Sequence, residues 1–258
     1  MAANLPKLLV LSSSLPGTRN GGGVILDQIL RRYPGDRYIC FAVHPPEWQD
    51  GRGEQPPSLE GVPFQTSGLV PQLRLRGARF YQTVLRFLGF RLLGPRRIKQ
   101  AVAFGRRHGV ELVWGEFQGE ALLLATRVAE GLNVPLVGTI WDDPEGWLAD
   151  GGYDHFSQNL LLARFREALS VARRVSVISE AMQEAYLRKY SLKSVILRHG
   201  HDLEDGVVFP EVTSPRQAIT VGFAGNVYGE EAWRAFGAAC ARLNAQGGLP
   251  AIRVVLFG

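Results

Sequence analysis

Two adjacent carboxylates, Asp142 and Asp143, stand in the stretch Gly138-Thr139-Ile140-Trp141-Asp142-Asp143-Pro144-Glu145. The residues before them have the pattern of a buried strand, and open α/β sheets place ligands beyond the C-terminal ends of their strands. A carboxylate there can position or deprotonate a hydroxyl, so both are candidate catalytic residues, Asp142 ahead of Asp143. A turn capped by one of the two ahead of Pro144 fits the same residues.

A second candidate is the glycine-rich stretch from Ser12 to Val24. Gly21, Gly22 and Gly23 lead into a helical pattern, and backbone without side chains can approach an anion or a sugar closely. A flexible loop accounts for these residues equally well. The spacing is not GxGxxG, and the second strand runs into Val43-His44-Pro45-Pro46 instead of ending on an acid, which argues against a nicotinamide dinucleotide site. Another glycine loop, Gly225–Gly229 with Asn226, follows a strand pattern at Ala218–Phe223. Arg198-His199-Gly200-His201-Asp202 offers nitrogen and oxygen ligands, but zinc needs three or four that converge, and no further His follows; no metal is expected.

These stretches need elements to position them. Strand-length apolar runs at Lys7–Ser12, Tyr38–Val43, Leu112–Trp114, Leu136–Ile140, Val175–Ile178 and Val195–Leu197 alternate with helical patterns. The helices are read at Val24–Tyr33, Ala78–Leu93, Pro95–Arg107, Glu120–Gly131, Tyr153–Ala172 and Ser179–Tyr190. Pro95 suits a first helical turn, and Ser179 suits an N-cap before Glu180. Alternation of this kind predicts an α/β fold, a Rossmann-like parallel sheet with helices on both faces. After a charged, Gly- and Pro-containing stretch, Arg198–Arg216, a second cycle opens: strand, glycine loop, helix Glu230–Gln246 and strand Ile252–Phe257.

With 258 residues, 46% of them hydrophobic, the chain can form one or two domains. Cys40 and Cys240 show no metal or redox spacing and read as reduced core residues. The N-terminal residues lack a signal-peptide pattern, and no apolar run approaches the ~20 residues that span a bilayer, so a cytoplasmic location is expected. The net charge of +5 is unevenly spread. Between Gly61 and Val110 there is no Asp or Glu, whereas Arg74, Arg76, Arg79, Arg86, Arg91, Arg96, Arg97, Lys99, Arg106 and Arg107 all fall there. That concentration suggests an anionic partner. Phe80, Tyr81, Val84, Leu85, Leu88 and Leu92 recur at helical spacing and read as a core stripe, which puts Arg79, Arg86 and Phe90 on the opposite, outer side near Arg96 and Arg97. Arginines beside an exposed aromatic fit peripheral contact with anionic lipid on the inner face of a membrane, at ~1 kcal/mol per basic residue. A helix simply facing water is the alternative, and no nucleic acid is expected.

Several stretches together resemble the GT-B glycosyltransferases of the large retaining group called family 4. The first strand and its Gly21-Gly22-Gly23 loop are similar to that family's opening, and "VSVISEAMQEAYLRKY" to a strand and helix with Ser179 and Glu180 at the motif. "VILRHGHDLEDGVVFP" matches at Gly200, Asp202, Phe209 and Pro210, and "ITVGFAGNVYG" matches the start of the donor-binding domain at Gly222 and Gly225. The resemblance implies an acceptor-side domain at residues 1–200, a linker at 201–217 and the start of a nucleotide-sugar-binding domain at 218–258. It implies transfer from a nucleotide sugar, as co-substrate and with no cofactor, to a glycan or lipid-linked acceptor. Gly21, Gly22 and Gly23 would line the acceptor side, and Gly225 and Asn226 would approach the donor phosphates. The chain departs from the family at Trp141, where a His is common, and at Asn226–Glu230, where a basic residue is common. The family's acidic pair for the donor lies beyond the strand at which these residues end. Little or no transfer activity is therefore expected of them, and a non-catalytic glycan- or lipid-binding module is the alternative.

Overall fold

The structure, a computed structural model, describes residues 5–18, 20–43, 55, 57–68, 79–150, 153–200, 218–224, 230–247 and 250–257. Gly225 and Asn226 lie outside these residues, as do the side chains of Arg79 and Arg86. The chain divides into two compact units, Met1–His201 and Asp202–Gly258.

The first unit runs β1 (Leu8–Ser12), α1 (Gly21–Leu30), β2 (Tyr38–Ala42), β3 (Phe64–Thr66), α2 (Arg79–Arg107), β4 (Leu112–Glu116), α3 (Leu122–Leu132) and β5 (Leu136–Ile140). It continues with α4 (Pro144–Asp150), α5 (His155–Val171), β6 (Arg174–Val177), α6 (Glu180–Tyr190) and β7 (Val195–Ile196). The seven strands form one sheet in the order β3-β2-β1-β4-β5-β6-β7. Every neighbouring pair is parallel. The α/β parallel architecture read from the sequence is the one observed.

Both faces of the sheet's central strands are buried, which is why most of those strands read as apolar runs. Leu9, Leu11, Ile39 and Phe41 face a core shared with Phe104, Leu124, Phe165 and Tyr186 of α2, α3, α5 and α6. Leu8, Val10, Tyr38 and Cys40 face the other way and pack with Leu26 and Leu30 of α1 and with Trp114 and Trp141. Cys40 and Cys240 are both free and buried. Ser179 caps α6 as read, its hydroxyl accepting from the Met182 amide at 3.2 Å.

β1 is bonded to β2 on one side and β4 on the other, so the chain's progress across the sheet reverses there. Such a reversal opens a crevice at the strands' C-terminal ends, where this class of sheet binds ligands. Those ends carry Ser12 and Glu116.

The structure corrects three details. β3 is a three-residue edge strand, Phe64–Thr66, too short and polar to show as an apolar run. Pro144 opens a seven-residue helix of its own, α4. The two helices read on either side of Gly94 are one, with Pro95 inside it. Proline removes one intrahelical bond, and here packing on both sides of the break keeps the helix continuous.

The second unit comprises β8 (Ala218–Ala224), α7 (Glu230–Gln246) and β9 (Ala251–Phe257). β8 and β9 pair in parallel from Ala218↔Ala251 to Ala224↔Phe257. Trp233 of α7 stands edge-on to Phe223 at 4.7 Å and to Phe236 at 5.7 Å.

Candidate functional site

Hydrogen bonds tie together the C-terminal ends of three adjacent strands. The Ser13 amide donates to Glu116 Oε2 at 2.7 Å, and the Ser13 hydroxyl donates to the Gln118 carbonyl at 3.2 Å. Gln118 Nε2 then donates to Asp142 Oδ2 at 3.1 Å. The path crosses from β1 to β4 to β5, over the crevice where strand order reverses. Gly119 closes it at φ 56°, with Ser13 Oγ only 2.7 Å from where a Cβ would sit.

Glu116 is 6% exposed. Burial pushes its carboxyl up to about 7; the Ser13 amide opposes the rise and the nearby Asp142 charge adds to it. Sequence reasoning missed this residue because the strand was read as ending at Trp114. The available signal was a lone acid closing an apolar strand.

The glycine run is three different positions. Asn20 caps α1, its side-chain oxygen accepting from the Gly23 amide at 2.8 Å. A Cβ on Gly23 would overlap Thr18 Oγ1 and stand 2.8 Å from the Leu15 carbonyl. A Cβ on Gly22 would lie 3.3 Å from the Trp141 ring, whereas Gly21 has nothing within 4 Å. The loop is therefore built around Gly23, and its open backbone is at Gly21. Trp141 packs under α1, and its buried indole nitrogen finds no acceptor among the described residues.

The two aspartates separate in role. Asp143 caps α4: its Oδ2 accepts from the Glu145 amide and its carbonyl from the Trp147 amide, both at 3.1 Å. Its Oδ1 accepts from the Tyr186 hydroxyl at 3.4 Å. Burial, then the Asp143 charge, raises that hydroxyl's pKa. Asp142 is exposed at the mouth of the crevice with Gln118 as its hydrogen-bond donor. An exposed carboxylate beside a buried one, next to a glycine-opened helix N-terminus, can orient a hydroxyl and take its proton.

The basic region sits differently from its reading. Arg97 is 3% exposed, paired with Glu120 at 2.5 Å and bonded to the Gly68 carbonyl. Phe90 is 9% exposed and lines a groove of about 800 Å³ between α2, α3 and α5, with Phe87, Leu123 and Leu160. Neither is an outer contact residue. Of the stripe read as core, the members whose side chains are described face outward: Val84, Leu88 and Leu92 are 37%, 42% and 68% exposed, with Arg91 and Arg96 also exposed. The buried Arg97–Glu120 pair and the Phe90 contact set the phase of this part of the helix, against the count of apolar residues. No helix among the described residues is long and apolar enough to cross a membrane, and these residues hold no cluster of three or more metal-ligating side chains.

A comparison with curated protein sequences finds no match. Among solved structures, Phytolacca americana UGT2 complexed with UDP-2fluoro-glucose and pterostilbene is similar at TM-score 0.54 and 11% identity, over 98% of this chain and 71% of that one. Os79 from O. sativa in complex with UDP is similar at TM-score 0.53 and 13% identity, over 93% and 64%. Arabidopsis thaliana UGT89C1 complexed with UDP-L-rhamnose gives 0.51 and 12%, over 98% and 69%. The chain thus spans 64% to 71% of the length of these proteins. At such identities the likeness is one of fold, that of GT-B glycosyltransferases. The family model for the glycosyl transferase 4-like domain matches residues 22–196, more than half of the sequence, and the chain belongs to that family.

Proposed function

We propose that this chain serves transfer of a sugar from a nucleotide sugar to an acceptor hydroxyl held at the C-terminal ends of β1, β4 and β5. The observation that carries this reading is the bonded path Ser13–Glu116/Gln118–Asp142, which runs from β1, where strand order reverses, to an exposed Asp142 at the end of β5. Asp142 orients the acceptor hydroxyl and receives its proton; Asp143 shapes the turn behind it. Gly21 and Gly22 bring backbone to the ligand, and Gly225 and Asn226 approach the donor phosphates. The UDP bound in the similar structures supports a nucleoside-diphosphate sugar as donor.

The acceptor is a glycan or a lipid-linked alcohol met at an anionic membrane surface. Support for the membrane comes from α2, where Val84, Leu88 and Leu92 form an exposed stripe at four-residue spacing beside Arg91 and Arg96. Such a helix lies along an interface with its apolar side in the acyl boundary and its cations at the headgroups.

Long incubation of the chain with labelled nucleotide sugars and a panel of hydroxyl acceptors tests the reading. Labelled glycoside in small yield, lost in Asp142→Asn, is expected. Ligand binding without any glycoside would contradict it and favour a non-catalytic binding module.

A further inference from the structure

Glu116 is a buried acid with an unusual set of neighbours. Among the described residues, the groups that set its protonation are the Ser13 amide and hydroxyl, from the end of β1, and the Asp142 carboxylate, from the end of β5, with no cation among them. Burying a carboxylate is expensive, and an apolar residue would close β4 more cheaply. The acid does have one task that an apolar residue could not perform. The ladder between β1 and the chain after β2 ends where the Val43 amide meets the Ser12 carbonyl, so the next amide, Ser13, needs a new acceptor. Glu116 Oε2 supplies it at 2.7 Å.

We propose that Glu116 is the positioning residue of the first βα loop: its carboxylate holds the Ser13 amide and thereby fixes residues 12–23 against the ends of β4 and β5. The ionised form holds more tightly, because a hydrogen bond to a charged acceptor is roughly twice as strong as a neutral one. Asp142 faces the same carboxylate, so a ligand that neutralises or screens Asp142 favours ionised Glu116 and a firmer loop. Occupancy at the crevice and order in the glycine loop are thus coupled through two carboxylates. This coupling rests on the proposed site at Asp142, whereas the latch between Glu116 and Ser13 is testable without any ligand.

The test is hydrogen exchange in peptides covering residues 12–23 between pH 5.5 and 8.5, with rates corrected for intrinsic exchange. Protection in the wild-type chain should rise roughly three- to tenfold as pH increases through about 7. In Glu116→Gln it should be independent of pH, and in Asp142→Asn the rise should move to lower pH. Flat protection in the wild type, a pH response that survives in Glu116→Gln, or an unmoved midpoint in Asp142→Asn would each overturn the proposal. Should Glu116→Gln fail to fold, the wild-type and Asp142→Asn curves decide the matter. None of these readings depends on glycoside formation, so the latch can fail while the proposed function stands, and the reverse.

Discussion

The Arg97 guanidinium lies 2.5 Å from the Glu120 carboxylate, with 4% and 9% of the two side chains exposed. This pair joins the middle of α2 to the segment entering α3, and the bond from Arg97 to the Gly68 carbonyl adds the chain that follows β3. Removing one member of such a pair takes from the other, buried charge the counter-charge it was buried with, a loss of about 3–5 kcal/mol for buried pairs. Arg97→Ala should therefore lower the denaturation midpoint sharply. The double change Arg97→Ala/Glu120→Ala should cost less than the sum of the two single changes, as a double-mutant cycle would record.

Glu116 makes stability depend on pH in an unusual direction. Its folded value of about 7 lies above the ordinary 4.5, so between these values the folded chain retains a proton that the unfolded chain has released. Unfolding free energy should fall as pH rises across that window and level off above it, by up to about 3 kcal/mol at ~1.4 kcal/mol per unit. Glu116→Gln should remove this part of the dependence and leave the variant more stable than the wild type at pH 8. Urea denaturation of both proteins at pH 5 and pH 8 measures the difference directly.

The three glycines should respond unequally to alanine. Gly23→Ala forces Thr18 and the Leu15 carbonyl apart and should cost about 1–3 kcal/mol. Gly21→Ala meets open space at the first helical position and should stabilise α1 slightly, since alanine is the better helix former by up to about 1 kcal/mol. Thermal melts of the two variants should fall on opposite sides of the wild type.

Most of the sheet was legible because its strands are buried on both faces: Tyr38–Ala42 and Leu136–Ile140 stand as apolar runs without alternation. What stayed hidden depends on partners distant in sequence. The phase of α2 is set by Glu120 and by the groove that receives Phe90, neither of which is visible in the spacing of α2 itself. Glu116 was hidden because its meaning comes from Ser13, a hundred residues earlier, and Asp142. The aspartate pair was half legible. Pro144 signalled that one of the two caps a turn, but only the bonds to Glu145 and Trp147 identify Asp143 as that one.

The inverted phase of α2 changes which residues a membrane would meet. Sedimentation with anionic vesicles should bring the wild-type chain down at low salt and release it at high salt. Leu88→Glu and Leu92→Glu should each weaken that recovery several-fold, and Arg96→Glu should weaken it further by opposing the surface charge. Equal sedimentation with neutral vesicles, or Leu92→Glu behaving as wild type, would contradict contact through this stripe.

The central claim is that Asp142 and Asp143, though adjacent, divide chemistry from structure. It is tested most directly by measuring glycoside formation and melting temperature together for Asp142→Asn and Asp143→Ala. Asp142→Asn should bring the weak transfer seen in long incubations down to background while melting within a degree or two of the wild type. Asp143→Ala, which removes the cap on α4, should melt lower by an amount corresponding to about 0.5–2 kcal/mol and keep transfer within a few-fold of wild type at temperatures where it is folded. Undiminished transfer by Asp142→Asn, or loss confined to Asp143→Ala, would contradict the account.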